Sequence, residues 1–186
     1  MRLLVLHLRS RRTSSALVVI AAVVLTCWAT SPWATDESPT AWLLLLLPVA
    51  AAAAVISLST AGPFGDVELA TNPLPRLRFL HLVAMVPAAI ALFALTGDPA
   101  EMIRNLAGFT GLTLLTASAL GPAASWVTAL AYTVLCGGAV DLHYASAWTW
   151  PILPTTDLNA MTIAVGLLVA GVITTVWRPR AAAAGQ

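Results

Sequence analysis

The stretch Ala41-Trp-Leu-Leu-Leu-Leu-Leu-Pro-Val-Ala-Ala-Ala-Ala-Ala-Val-Ile-Ser-Leu58 decides the class of this protein. It holds no ionisable side chain, and its only hydroxyl is Ser57. A helix of about 20 such residues crosses the hydrocarbon core of a bilayer, because every backbone polar group finds its partner within the segment. Stretches of similar character run over residues 15–34, 77–95, 102–120, 124–140 and 159–177. The pattern predicts an all-α polytopic membrane protein, with six transmembrane helices in a single domain covering residues 1–186. Composition agrees: 59% of residues are apolar and 9% charged, whereas charged residues make up about a quarter of an ordinary soluble domain.

The arginines orient the bundle. There is no lysine, and Arg2, Arg9, Arg11 and Arg12, then Arg76 and Arg78, then Arg178 and Arg180 form three clusters between the apolar stretches. Short arginine-rich segments stay on the cytoplasmic side. Six spans put all three clusters on that side, so both termini are expected in the cytoplasm and the chain in the plasma (inner) membrane. Asp36, Glu37, Asp98, Glu101, Asp141 and Asp157 then fall outside. The net charge of +1 conceals this segregation and implies no nucleic-acid partner. Membrane lipid is the expected surrounding. Cys27 and Cys136 lie inside apolar stretches and read as small apolar side chains.

The first stretch has the basic start of a signal peptide. Pro32 spoils the small-residue pattern needed for cleavage after Ala34 or Ser31, so a retained helix is expected. Ahead of it, Leu3, Leu4, Leu6 and Leu8 interleave with Arg2, Arg9, Arg11 and Arg12. That pattern fits either an amphipathic N-terminal helix in the headgroup layer or a basic tail that sets topology. The second and third spans are joined by a longer cytoplasmic stretch with a short helix expected over residues 64–71, bracketed by proline and glycine. Gly121-Pro122 makes a tight hairpin between the fourth and fifth. Before the sixth, Tyr144, Trp148 and Trp150 mark a segment too broken to span, which is expected to dip into the outer interface.

Chemistry-bearing motifs are few. Without lysine the chain cannot supply a phosphate-binding P-loop, and it contains neither a His-Glu-x-x-His zinc motif nor a Gly-x-Ser-x-Gly elbow. No catalytic, cofactor-binding or metal-binding residues are therefore assigned. Asp141, His143 and Asp157 form the one weak cluster, for which a metal-dependent hydrolase is the lowest-ranked reading. Arg104 is the one arginine assigned to the outer half. Glu101, three residues earlier on the same helix, is its expected partner; the functional alternative is that Arg104 and Asn105 line an outward vestibule. His81 reads as an interfacial hydrogen-bonding residue. Small residues recur at four-residue spacing in the sixth span (Thr162, Gly166, Ala170, Thr174) and in the fourth (Ala107, Gly111), which predicts helix-packing faces. Pro48 and Pro87 are candidate kinks.

This layout, with Pro63-Phe-Gly-Asp-Val-Glu68, Asn72-Pro-Leu-Pro-Arg-Leu-Arg78 and Arg104-Asn-Leu-Ala-Gly-Phe-Thr-Gly-Leu112, resembles the membrane subunit of ABC type-2 exporters, in particular small actinobacterial ones. The resemblance implies a dimer of permease subunits, identical or related, above two ABC ATPase subunits that carry the ATP and magnesium. It also implies that the helix between the second and third spans docks into the ATPase. Phe64, Asp66, Glu68, Arg76 and Arg78 would form that coupling surface. The chain is short for the family and lacks a large external domain, so a six-helix accessory or immunity protein is the rival expectation.

Overall fold

A computed structural model describes residues 13–30, 39–60, 74–93, 98–144 and 146–177. Among them lie six α-helices and no strand: α1 Thr13–Thr30, α2 Pro39–Ser59, α3 Leu74–Phe93, α4 Pro99–Leu120, α5 Ser125–Asp141 and α6 Leu158–Val176. Two 3-10 helices, Pro122–Ala124 and Ala147–Ile152, precede α5 and α6. Each α-helix overlaps one of the expected stretches. The N-terminal arginines Arg2, Arg9, Arg11 and Arg12, the expected helix over 64–71 and the cluster Arg178 and Arg180 lie outside the described residues.

Local chemistry sets the helix starts. Asp98 caps α4 by accepting a hydrogen bond from the Ala100 amide at 2.9 Å, with Pro99 in the first turn where its missing N–H costs nothing. Asp157 caps α6 through the amides of Asn159 and Ala160, at 2.8 and 3.1 Å. These two acids therefore terminate helices. The helices continue through Pro48 and Pro87.

Among the described residues, three helices are long and apolar enough to cross a membrane: Thr40–Ser59, Pro122–Val140 and Leu158–Val176. Ser15–Ala29 and Arg78–Phe93 are shorter apolar helices. The chain thus has several apolar helices compatible with a membrane protein. α4 is the longest, at 22 residues, yet it is not among the three. Its place in the bundle explains why. It is packed by α2, α3, α5 and α6, and it buries Met102, Leu106, Phe109 and Leu114 together with Arg104, Asn105, Thr110 and Thr113. A helix surrounded by protein can carry polar groups as long as neighbouring helices satisfy them. Thr113 Oγ1 donates toward the Ala53 carbonyl of α2 at 3.2 Å, and Ser57 Oγ returns a bond to the Thr113 carbonyl, also 3.2 Å. Thr116 and Thr128 join α4 to α5, hydroxyl to hydroxyl, at 2.7 Å.

α4 and α6 approach until their backbones touch. A Cβ added to Gly171 of α6 would lie 2.6 Å from the Gly111 carbonyl oxygen, and one added to Gly111 would strike the backbone of Leu167 and Leu168. Glycine at both positions permits the approach. Ala107 and Gly111 are buried, as a packing face requires. On α6 the stripe expected from spacing is open within the single chain: Thr162, Gly166 and Ala170 are exposed, Thr174 is half-buried, and a Cβ on Gly166 would meet nothing within 4 Å. The face that α6 buries is Ala160, Ala164 and Gly171.

The two ends of the bundle differ. At one, Arg78 in the first turns of α3 reaches the Thr175 carbonyl at the end of α6 (Nη1 to O, 3.4 Å). There too the buried His81 Nε2 lies 2.8 Å from Ser59 Oγ, at the end of α2. Ser59 commits its hydroxyl hydrogen to the Ile56 carbonyl at 2.6 Å, so His81 is the donor in that pair. At the other end, the segment ahead of α6 folds back over the start of α4.

Candidate functional site under the strap

That segment, residues 147–154, is held as a strap. Its first turn is closed by Thr149, whose Oγ1 accepts from the Ser146 amide at 3.0 Å and donates to the Ser146 carbonyl at 2.8 Å. Trp150 follows and is 1% exposed. Its indole lies over Gly108, where an added Cβ would come within 2.6 Å of Cζ2 and 2.7 Å of Cζ3. The ring packs against Phe109 of α4, with centroids 5.5 Å apart, and stacks on Tyr132 of α5 at 6.0 Å. The Tyr132 hydroxyl donates to the Trp148 carbonyl. The aromatic anchor is therefore buried inside the bundle; Trp148 and Tyr144 remain exposed and pack on each other at 5.9 Å.

Pro151 and Pro154 have no N–H, and the strap leaves carbonyl oxygens in excess of donors. Arg104 supplies the donors. Nη2 donates to the Pro151 carbonyl at 2.9 Å, Nη1 to those of Leu153 and Pro154 at 2.7 and 3.1 Å, and Nε to Asn105 Oδ1 at 3.2 Å. A buried guanidinium is tolerable only when hydrogen-bonded, and these charge-assisted bonds meet that need. Besides Asn105, the hydrogen-bond partners of Arg104 are carbonyls 47 to 50 residues along the chain, while Glu101 Oε1 is buried with no hydrogen-bond partner. Arg104 and Asn105, 1% and 0% exposed, are covered by the strap and line no open vestibule in this arrangement.

Electrostatics still couples the group. Burial raises the affinity of Glu101 for its proton, Arg104 opposes that effect, and Asp98 adds to it. Asp98 and Asp157 are also felt by Arg104. Asn105 Nδ2 is buried without an acceptor. The site is thus a guanidinium shared among neutral acceptors, beside an unpaired carboxyl oxygen and an unpaired amide.

Of the expected coupling surface, Phe64, Asp66 and Glu68 lie outside the described residues; Arg76 and Arg78 are in the first turns of α3. Among the described residues no three His, Cys, Asp or Glu side chains converge on a metal-sized site, and Asp157 of the weak cluster is engaged as a cap. Cys27 and Cys136 are both buried, on different helices, with no disulfide between them. Sequence reasoning missed Gly108, Tyr132 and Trp150 as one unit; the visible signal was a glycine beside Phe109 on α4 and a Trp-Thr-Trp-Pro segment ahead of α6. No family model, curated protein or solved structure matches this chain.

Proposed function

We propose that the chain is the permease subunit of an ATP-driven ABC exporter in the plasma membrane, pairing with a second permease subunit and an ABC ATPase that binds ATP and magnesium. The observation that carries this reading is the polarity of the bundle. The start of α3 and the end of α6, two of the three helix ends that border arginine clusters, are neighbours joined through Arg78 and Thr175. The strap and the acids Asp98, Glu101 and Asp157 sit around the starts of α4 and α6, which run the other way from α3. A basic end facing a cytoplasmic ATPase and an acidic, capped end facing outward is the arrangement a coupled permease needs.

Phe64, Asp66, Glu68, Arg76 and Arg78 are the proposed coupling surface. Reversing a charge at such a contact places like charges together and can cost several kcal/mol of association. Glu68→Arg should therefore lose co-purification with the ATPase and lower ATP turnover in reconstituted membranes, while insertion is unchanged. Unaltered association and turnover in both Glu68→Arg and Asp66→Arg would refute the assignment of the loop. The rival, a non-transporting accessory or immunity protein, would co-isolate a partner other than an ATPase.

A further inference from the structure

We propose that strap 147–154 is a two-position latch, set by competition between its own carbonyls and the Glu101 carboxylate for the Arg104 guanidinium. Both acceptor sets are within reach of one side chain: Glu101 precedes Arg104 by three residues on α4, one turn away on the same face. Three strap carbonyls and Asn105 take four of the five guanidinium hydrogens. Glu101 Oε1 is left buried and unpartnered. That closed position suits a neutral carboxyl group and penalises an ionised one.

Ionised, Glu101 is a stronger acceptor than any carbonyl, and pairing with it draws Arg104 off the strap. The carbonyls of Pro151, Leu153 and Pro154 then lose their donor and must turn to water, which lifts the strap and frees Arg104 and Asn105. Trp150 over Gly108 holds the strap down in the meantime. The pH sign follows from the burial of Glu101, which raises its proton affinity above the ordinary value of 4.5. The closed position binds the proton more tightly than the open one. It is favoured at low pH and lost as pH rises through the closed-state value, which lies above 4.5. Asp98 adds to the effect from the same helix, Arg104 opposes it, and Asp157 ahead of α6 acts on Arg104. The 3-10 helix Ala147–Ile152 brings no ionisable group.

Amide hydrogen exchange of peptides covering residues 146–157, in the purified full chain in nanodiscs, tests this. Parent and Glu101→Gln are compared at the same pH, so intrinsic exchange chemistry cancels. Glutamine mimics the neutral acid, so the two should match below the titration. Above the titration the parent should exchange faster, by up to roughly tenfold per pH unit as a one-proton switch allows. Arg104→Gln should exchange fast at every pH while peptides from α2 stay protected. Equal protection of parent and Glu101→Gln from pH 5 to 9, or faster exchange in the variant, overturns the proposal. As a second readout, Thr149→Cys with Cys27 and Cys136 replaced should react with a thiol reagent in the same pH-dependent way, relative to exposed Leu142→Cys. A constant ratio overturns the proposal as well.

Discussion

Gly171→Ala and Gly166→Ala place the same methyl group on the same helix, five residues apart, and should have opposite effects. Each gains about 1 kcal/mol of helix propensity over glycine. At Gly171 the new Cβ would sit 2.6 Å from the Gly111 carbonyl oxygen and 3.0 Å from both Gly111 Cα and Leu114 Cβ. Ordinary contact begins near 3.4 Å, so α4 and α6 must separate by about 0.8 Å along the closest vector. The obstacles are mostly backbone, and no rotamer change relieves them. Overpacking of this kind costs about 1–3 kcal/mol, and the fixed backbone puts it in the upper part of that range. The net expectation is a loss of about 1–2 kcal/mol. At Gly166 nothing lies within 4 Å, so only the propensity gain remains and the variant should be as stable as the parent or slightly more. Unfolding in mixed micelles, followed by circular dichroism against denaturing detergent, reads both. Equal stability of the two variants would show that α4 and α6 do not meet at Gly111 and Gly171.

Truncating the strap anchor, Trp150→Ala, should cost about 3–5 kcal/mol as a large buried aromatic is lost, read as a drop in thermal midpoint in detergent; Gly108→Ala should displace the same indole and shift tryptophan emission to the red. For topology, single cysteines at Ser38 and Ser146 should react with an impermeant thiol reagent in intact cells, with Cys27 and Cys136 replaced, and those at Thr71 and Ala183 should not. Labelling of Thr71→Cys without Ser38→Cys would invert the orientation.

Helix positions were legible because membrane-type segments announce themselves by apolar length, and α2 does so without a single charge. Which face turns inward was not. On a helix whose two sides are both apolar, hydropathy carries no directional signal, and α6 has small residues on both: Thr162, Gly166 and Ala170 outward, Ala160, Ala164 and Gly171 inward. Only the presence of Gly111 opposite distinguishes Gly171. The partner of Arg104 was hidden for a related reason. Sequence displays side chains, so the acid at 101 was visible, whereas a backbone carbonyl exists at every residue and its availability depends on the fold.

The strap and Arg104 explain each other through donor and acceptor balance. A guanidinium offers five donors and no acceptor. A 3-10 segment running into Pro151 and Pro154 offers carbonyls and few donors. Buried alone, either would carry an uncompensated polar group; together they close, and the closure needs no acid. This is why α4 can be at once the least apolar of the long helices and the one packed most fully by its neighbours. It is also why a binding site at Arg104 cannot exist independently of the strap: whatever anion reached the guanidinium would first have to replace the three carbonyls, and removing those carbonyls means withdrawing Trp150 from Gly108.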